Sequence, residues 1–448
     1  MLIQDDPQNE FGDFPFSEYV IDKDHPLVKL SQAIHWKNLL EALSRFYHPT
    51  LGRPTIPLRA QAGTLMIKFI KNFSDRETVG YCSDAIPAMF FCGLHPTKVK
   101  GTMNPASGLS QFRKAIGPEG MALIQSVLEH AARGKSLTKN GQLIVDTTCV
   151  PLDIHYPTDI KLLERCRHNI LKLFDEAKRL GLQPVYRTYK RMARKIFIQF
   201  SKLSKPKEKT RKKVHKQLFQ FVRRNLKQLT DLRCRATHTI GKSASTSKHI
   251  LQFLQNLKTT ELKVRTILHQ QKQIRQGFLH IPNRIVSFHK DHVRPIVRGK
   301  FPLNTEFGPK ILVAVVKNCL YVVDSFHANV SDATLVLPAL RWFKKTFGHL
   351  PKEILGDRGF FSRMRVQWLK ALNILAGLQP RGKNVEKSSA NRRMIRQRQQ
   401  IEAFISLSKR KFGWNRCRAK NPDHESSWIR FSAVAASVHK RFFLSLSP

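Results

Sequence analysis

Apolar residues recur at helical spacing through the first 140 positions of the chain. Leu65, Met66, Phe69 and Ile70 share one helical face after Pro57. Ser74-Asp-Arg-Glu77 has the spacing of a capping box and marks the start of another helix. Ser110 is placed to cap a helix carrying Phe112 and Ile116. Pro118 and Gly134 bracket a further one through Met121, Ile124, Val127 and Leu128. Short helices joined by tight turns suit a helix-turn-helix DNA reader, and equally a bundle that only packs or dimerises.

The period continues through the middle of the chain in Ile170, Leu173 and Phe174, then in Ile196, Phe197 and Phe200. It resumes in Leu218, Phe221, Val222, Leu226 and Leu229, and again from Ile250 to Leu257. Lys205 to Lys213 reads as a basic turn between two of these helices. Strand patterns flank the helical block. Gly141 to Val145 is an apolar run ending at Asp146. Ile311–Val316 and Leu320–Val323 form a hairpin around Lys317-Asn318. Ile354-Leu355 leads into Gly356-Asp-Arg-Gly-Phe360, and Asn373–Gly377 is a short strand after a helix. Strand, hairpin, helix, strand, helix, strand, helix is the order of an α/β domain with a mixed sheet.

Charge changes this picture. Over 448 residues, 78 Lys and Arg face 32 Asp and Glu, a net of +46. Residues 1–140 hold 16 basic and 13 acidic side chains, whereas 161–280 hold 31 and 6. A near-neutral first third, a strongly basic middle and a moderately basic remainder indicate three units. Self-repulsion of this size is relieved by a polyanion, because phosphate contacts neutralise charge and release counterions. The leading partner is therefore DNA or RNA. Seven cysteines with no C-x-x-C pair argue against a zinc ribbon or a disulfide framework and fit a reducing cytosol. The first residues lack a signal-peptide pattern and no apolar run has the length of a membrane span, so a soluble protein without a membrane partner is expected.

Three acids stand out by position. Asp146 and Asp357 end strands, and in open α/β sheets sites gather beyond the carboxyl ends of strands. Glu402 is the lone acid in a run with seven Arg or Lys between Arg392 and Lys411. Arg398, Glu402 and Lys409 fall on one helical stripe, opposite Ile401 and Phe404. As a plain surface ion pair this arrangement is worth little. Joined with Asp146 and Asp357, it can hold two divalent cations, for which oxygen ligands favour Mg²⁺ or Mn²⁺. Lower weight falls on Asp153, on Asp159 with the capping Thr158, and on the turn residues Asp324 and His327. His289 and His292 around Asp291 suit a structural or phosphate-facing role. Trp414 and Phe412 are core aromatics or stacking platforms for an unpaired base.

These motifs together resemble the DDE transposases of bacterial insertion sequences, in the branch with a Tyr-Arg-Glu-Lys signature (IS-four/IS-five type). The likeness rests on Val145-Asp146-Thr147-Thr148, Tyr156 to Leu163, Arg294 to Lys300 with Glu306 to Lys310, Gly356 to Phe360, and Arg398, Glu402 and Lys409. His25 to Lys29, Gly52-Arg-Pro54 and Phe91-Cys-Gly93 resemble the family's helical N-terminal region. The resemblance implies an RNase H-like catalytic core, a mixed sheet flanked by helices. That core would be formed by 139–160 and 281–440, with a basic helical insertion at 161–280 and an all-helical domain at 1–138 that binds DNA ends. It implies Asp146, Asp357 and Glu402 as the catalytic metal ligands for two Mg²⁺ (or Mn²⁺) ions. Arg398 and Lys409 are the implied DNA-phosphate groups, with Arg298, Lys300 and Arg358 in the same motifs. Where the signature has Tyr, this chain has Ile395. The implied activity is cleavage at insertion-sequence ends and joining of the 3′-OH to target DNA. A homo-oligomer on DNA in the bacterial cytoplasm, associated with the nucleoid, is expected. Another RNase H-like metal nuclease, or a decayed transposase that binds DNA without cutting it, are the alternatives.

Overall fold

The computed structural model describes residues 21–48, 50–51, 55–94, 105–134, 141–182, 186–240, 248–278, 280–297, 305–378, 389–419 and 421–444. The chain forms two compact units, Met1–Asp153 with Ile296–Pro448 and Ile154–Pro295.

The first unit begins with helices α1 (Pro26–Gln32), α2 (Trp36–Ser44), α3 (Leu58–Lys71), α4 (Asp75–Asp84), α5 (Ile86–Cys92) and α6 (Ala106–Arg133). The capping box opens α4: the Glu77 amide donates to Ser74 Oγ at 3.2 Å, and the Ser74 amide donates to Glu77 Oε2 at 2.7 Å. Ser110 caps nothing, because α6 already starts at Ala106. The break in α6 falls instead at Gly117, where φ is +58°, and Pro118 opens its second half.

The second unit contains α7 (Asp159–Arg179), α8 (Lys190–Ser201), α9 (Glu208–Ile240) and α10 (Lys248–Arg275). Thr158 Oγ1 accepts from the Lys161 amide at 3.3 Å and caps α7. The basic turn expected from Lys205 to Lys213 ends earlier, since α9 starts at Glu208; past Pro206 nothing in this stretch opposes a helix. α9 packs on α7, α8 and α10 around a core that includes Leu163, Phe174, Leu218, Val222, Phe253 and Leu257. Glu261, buried on α10, accepts from Thr230, Arg233 and Arg265 at 3.0, 2.6 and 2.7 Å.

The sheet belongs to the first unit. Its strands are β1 (Gln142–Cys149), β4 (Lys310–Val316), β5 (Cys319–Phe326), β6 (Glu353–Gly356) and β7 (Leu375–Leu378), in the order β5-β4-β1-β6-β7. β2 (Pro295–Val297) and β3 (Thr305–Phe307) form a separate two-stranded ladder. β4 runs antiparallel to β1 and β5, while β6 runs parallel to β1 and β7, so the sheet is mixed. Lys317 and Asn318 turn the β4–β5 hairpin with φ of +49° and +59°, the left-handed pair that a two-residue turn requires. α11 (Val336–Phe347), α12 (Arg363–Ala371), α13 (Ser389–Lys411) and α14 (Pro422–Val438) complete the unit. One hydrophobic core runs through α1–α6, the sheet and α14. Phe69 of α3 stacks on Phe431 of α14 with ring centroids 4.3 Å apart. No helix among the described residues is long and apolar enough to cross a membrane.

Candidate active site

Asp146 lies within β1 rather than at its end. Thr147, Thr148 and Cys149 keep the strand going, paired with Leu312, Ile311 and Lys310 of β4. β-branched residues favour that continuation. On the other side of β1 the parallel ladder with β6 closes at Ile144 opposite Leu355. Asp146 and Asp357 each stand two residues beyond this last pair, Asp146 still inside β1 and Asp357 one residue past the end of β6.

The surroundings of Asp146 are charged and poorly hydrated. Burial pushes its carboxyl up to about 6, the negative fields of Asp357 and Asp332 add to this, and the Thr147 amide and Arg398 oppose it. The Thr147 amide donates to Asp146 Oδ1 at 2.7 Å. Asp357 is set by the turn after β6, where the Gly359 amide donates to its Oδ1 at 2.9 Å. Gly359 is required by proximity. A Cβ there would lie 2.8 Å from Asp332 Oδ2 and 3.0 Å from Asp357 Oδ1. Arg358, beside Asp357, is exposed.

Glu402 and Arg398 come from α13, which packs over β1, β4 and β6. Ile401, Phe404 and Ser408 face inward and fix its rotation. Gln142 Nε2, at the start of β1, donates to Gln397 Oε1 at 2.8 Å and fixes its position along β1. Glu402 is 51% exposed and pairs with Arg398 at 2.6 Å. Arg398 is itself close enough to lower the pKa of Asp146, and its Nε is buried without a hydrogen-bond partner among the described residues. The structure thus brings Asp146 and Asp357 together and places Glu402 on the overlying helix, held by Arg398. Among the described residues, no three Asp, Glu, His or Cys side chains stand close enough to hold one metal ion. The chemistry of the donor set nevertheless fits a hard divalent cation: carboxylate oxygens stand near one another beside the β1–β6 ladder, and their mutual repulsion at Asp146 is what a bound positive charge would relieve.

Other sequence-predicted residues separate clearly. Lys409 lies on α13, seven residues beyond Glu402. Arg298 and Lys300 fall outside the described residues, as does the side chain of Ile395. Asp153 pairs with Arg416 at 2.6 Å, and Asp159 accepts from Gln271 and Arg284. Asp324 Oδ1 accepts from the Ser325 amide, and Asp291 pairs with Lys263. Trp414 is fully buried with its Nε1 donating to the Ile429 carbonyl, and Phe412 is buried too, so neither offers a base a stacking face.

Sequence reasoning missed Asp332. It opens a 3₁₀ turn after β5, and its Oδ1 accepts from Thr147 Oγ1 at 2.8 Å and pairs with Lys310 at 2.7 Å. The signal available in the sequence was its place shortly after a strand, which many turn residues share.

Comparison with known proteins gives two family matches. Residues 15–115 match the family described as "Transposase domain (DUF772)", and residues 305–438 match "Transposase DDE domain". The second match spans Asp332, Asp357, Arg398 and Glu402; Asp146 precedes it. A Rhizobium meliloti protein described as "Uncharacterized protein ORF8 in nfe locus" is 30% identical over 186 residues, 40% of this chain and 86% of that protein. No solved structure matches. The transposase DDE domain implies an RNase H-like fold, a divalent-metal requirement and a DNA substrate. The chain belongs to the DDE transposases of insertion sequences, enzymes of DNA transposition and recombination.

Proposed function

We propose that Asp146, Asp357 and Glu402 are the catalytic triad and hold two Mg²⁺ or Mn²⁺ ions, with which the protein cleaves the ends of its element and joins the freed 3′-OH to target DNA. The observation that carries this reading is that Asp146 on β1 and Asp357 just past β6 stand equally far beyond the last pair of a parallel ladder, with the field of Asp357 helping to raise the Asp146 carboxyl. Bound cations would supply the positive charge that stabilises the pentavalent phosphorus and activates the attacking oxygen. Asp146 and Asp357 orient the site from the sheet, and Glu402 joins them once Arg398 exchanges its carboxylate for a DNA phosphate. The guanidinium nitrogen that Glu402 releases is the donor for that phosphate. Lys409 and Arg358 add cations along the path of the strand, as do Arg298 and Lys300 of the same motif set. The basic helices of 161–280 are an insertion in the RNase H-like core that grips the DNA backbone, 1–138 holds the element ends, and two copies act together on two ends in the bacterial cytoplasm.

The test uses purified protein, a labelled terminal-repeat duplex and Mg²⁺. Asp146→Asn, Asp357→Asn and Glu402→Gln should each lower cleavage by about a hundredfold or more, with duplex binding retained. Unchanged cleavage in any of the three removes that residue from the site. A second reading, a decayed copy that binds DNA without cutting it, draws support from the engagement of Glu402 by Arg398. Salt-sensitive binding with no Mg²⁺-dependent nicking by the unaltered chain would establish it.

A further inference from the structure

We propose that Asp332 is a positioning residue of the acidic site: held by Lys310, it fixes Thr147 beside Asp146 and turns its second carboxylate oxygen toward Asp357. The inference rests on the reading of Asp146 and Asp357 as cation-holding groups.

The connection starts on β4. Lys310 Nζ donates to the Val330 carbonyl at 2.7 Å and pairs with Asp332 Oδ1 at 2.7 Å, and the two side chains are only 12% and 23% exposed. In that sheltered place the ion pair has a defined geometry. The same Oδ1 accepts from Thr147 Oγ1 at 2.8 Å. Thr147 is buried, and its amide is the one that donates to Asp146 Oδ1. Asp332 therefore grips the residue that orients Asp146, so β4, the turn after β5 and β1 are locked together at the height of the acids.

Oδ2 is used differently. It has no hydrogen-bond partner among the described residues, and it lies 2.8 Å from the point where a Gly359 Cβ would be, with Asp357 Oδ1 3.0 Å from that same point. The contact with Thr147 needs no charge, since an amide oxygen would accept from it equally well; the charge is met by Lys310 at Oδ1, while Oδ2 is left facing the acids. A third carboxylate beside Asp146 and Asp357 adds its negative field to theirs. The arrangement is explained if Oδ2 accepts from the water shell of a bound cation, which Mg²⁺ in particular keeps. Groups that orient ligands from behind in this way typically change metal affinity or activity by about 10–100-fold when removed.

Calorimetric titration of Mn²⁺ into the full-length, DNA-free protein tests the assignment without relying on activity. Asp332→Ala and Thr147→Val should weaken Mn²⁺ binding by about tenfold. Asp332→Asn, which keeps an acceptor for Thr147 and loses the charge, should fall between these and the unaltered chain. Asp357→Asn should weaken binding more than any of them. In cleavage assays, Asp332→Ala should regain rate as Mn²⁺ is raised, whereas Asp357→Asn should not. Unaltered Mn²⁺ affinity in Asp332→Ala and Thr147→Val, with loss in Asp357→Asn, overturns the role of Asp332 and leaves the acidic pair standing. Unaltered affinity in Asp357→Asn as well removes the acidic pair, and the proposal with it. Should Asp332→Ala fail to fold, Thr147→Val and Asp332→Asn decide alone, and unaltered affinity in both overturns it.

Discussion

At the scale of single residues, Asp146 shows what the site costs the fold. Burial and the fields of Asp357 and Asp332 raise its carboxyl from the ordinary range to about 6, against the pull of Arg398 and the Thr147 amide. A carboxyl that holds its proton more tightly in the folded state stabilises the fold fully below the unfolded pKa and loses that contribution as pH rises through about 6. Asp146→Asn removes the penalty at neutral and higher pH. Its thermal midpoint should exceed that of the unaltered chain at pH 8, with the gap closing toward pH 4. Added Mg²⁺ should raise the midpoint of the unaltered chain at pH 8 and leave that of Asp146→Asn nearly unmoved, because binding to the folded state alone is stabilising. Equal midpoints at both pH values would show that Asp146 is well hydrated. In the sequence Asp146 and Asp357 drew attention as the apparent ends of strands and Glu402 as the lone acid of a basic run, although Asp146 lies inside β1. Asp332 drew none. Its contribution depends on the hairpin returning the chain to β1, so that Thr147 and Asp332, 185 positions apart, share a hydrogen bond.

Among the elements, α9 carries the clearest further consequence. Val214, Leu218, Val222 and Leu229 are buried along one side, while Lys209, Lys212, Lys213, Lys216, Arg223, Arg224 and Lys227 are all exposed. From Lys209 to Lys227 this basic stripe covers roughly 27 Å at the rise of an α-helix. Among the described residues its ion pairing is limited to Lys212 with Glu208. Such a stripe adds counterion release when it meets phosphates. Replacing Lys213, Lys216, Arg223 and Lys227 together with Ala should flatten the plot of log affinity against log salt by about 3 to 4, near 0.9 for each phosphate that is no longer neutralised. Helical content should hold, since Ala is the strongest helix former. An unchanged slope would place the DNA elsewhere. The stripe was legible from its apolar period, and the hairpin from its two strands around Lys317-Asn318. Helix limits were less so. A dense run of Lys and Arg resembles a turn in composition, yet α9 runs through most of it because Leu218 and Val222 gain burial against α7 and α10.

For the whole molecule, the decisive fact is how the cores are divided. The N-terminal helices look like a domain of their own by charge, and they match a family separate from the one matched by the sheet region. Their apolar residues nonetheless share one core with the sheet and α14, with Phe69 stacked on Phe431 as one link. Hydrophobic periodicity shows which face of a helix is buried but not what covers it, so this sharing was not visible in the sequence. The helices of Ile154–Pro295 have a separate core with no residue in common. Two cores without shared residues should melt as two cooperative transitions in calorimetry rather than one. Phe431→Ala and Phe253→Ala each empty a fully buried site, at a cost of about 3–5 kcal/mol. Phe431→Ala should lower one transition and Phe253→Ala the other. Because Phe431 supports the same core as the N-terminal helices, its removal should also weaken protection of the amides in α3 from hydrogen exchange while leaving those of α9 unchanged. A single transition lowered by both substitutions would mean that the two units fold as one.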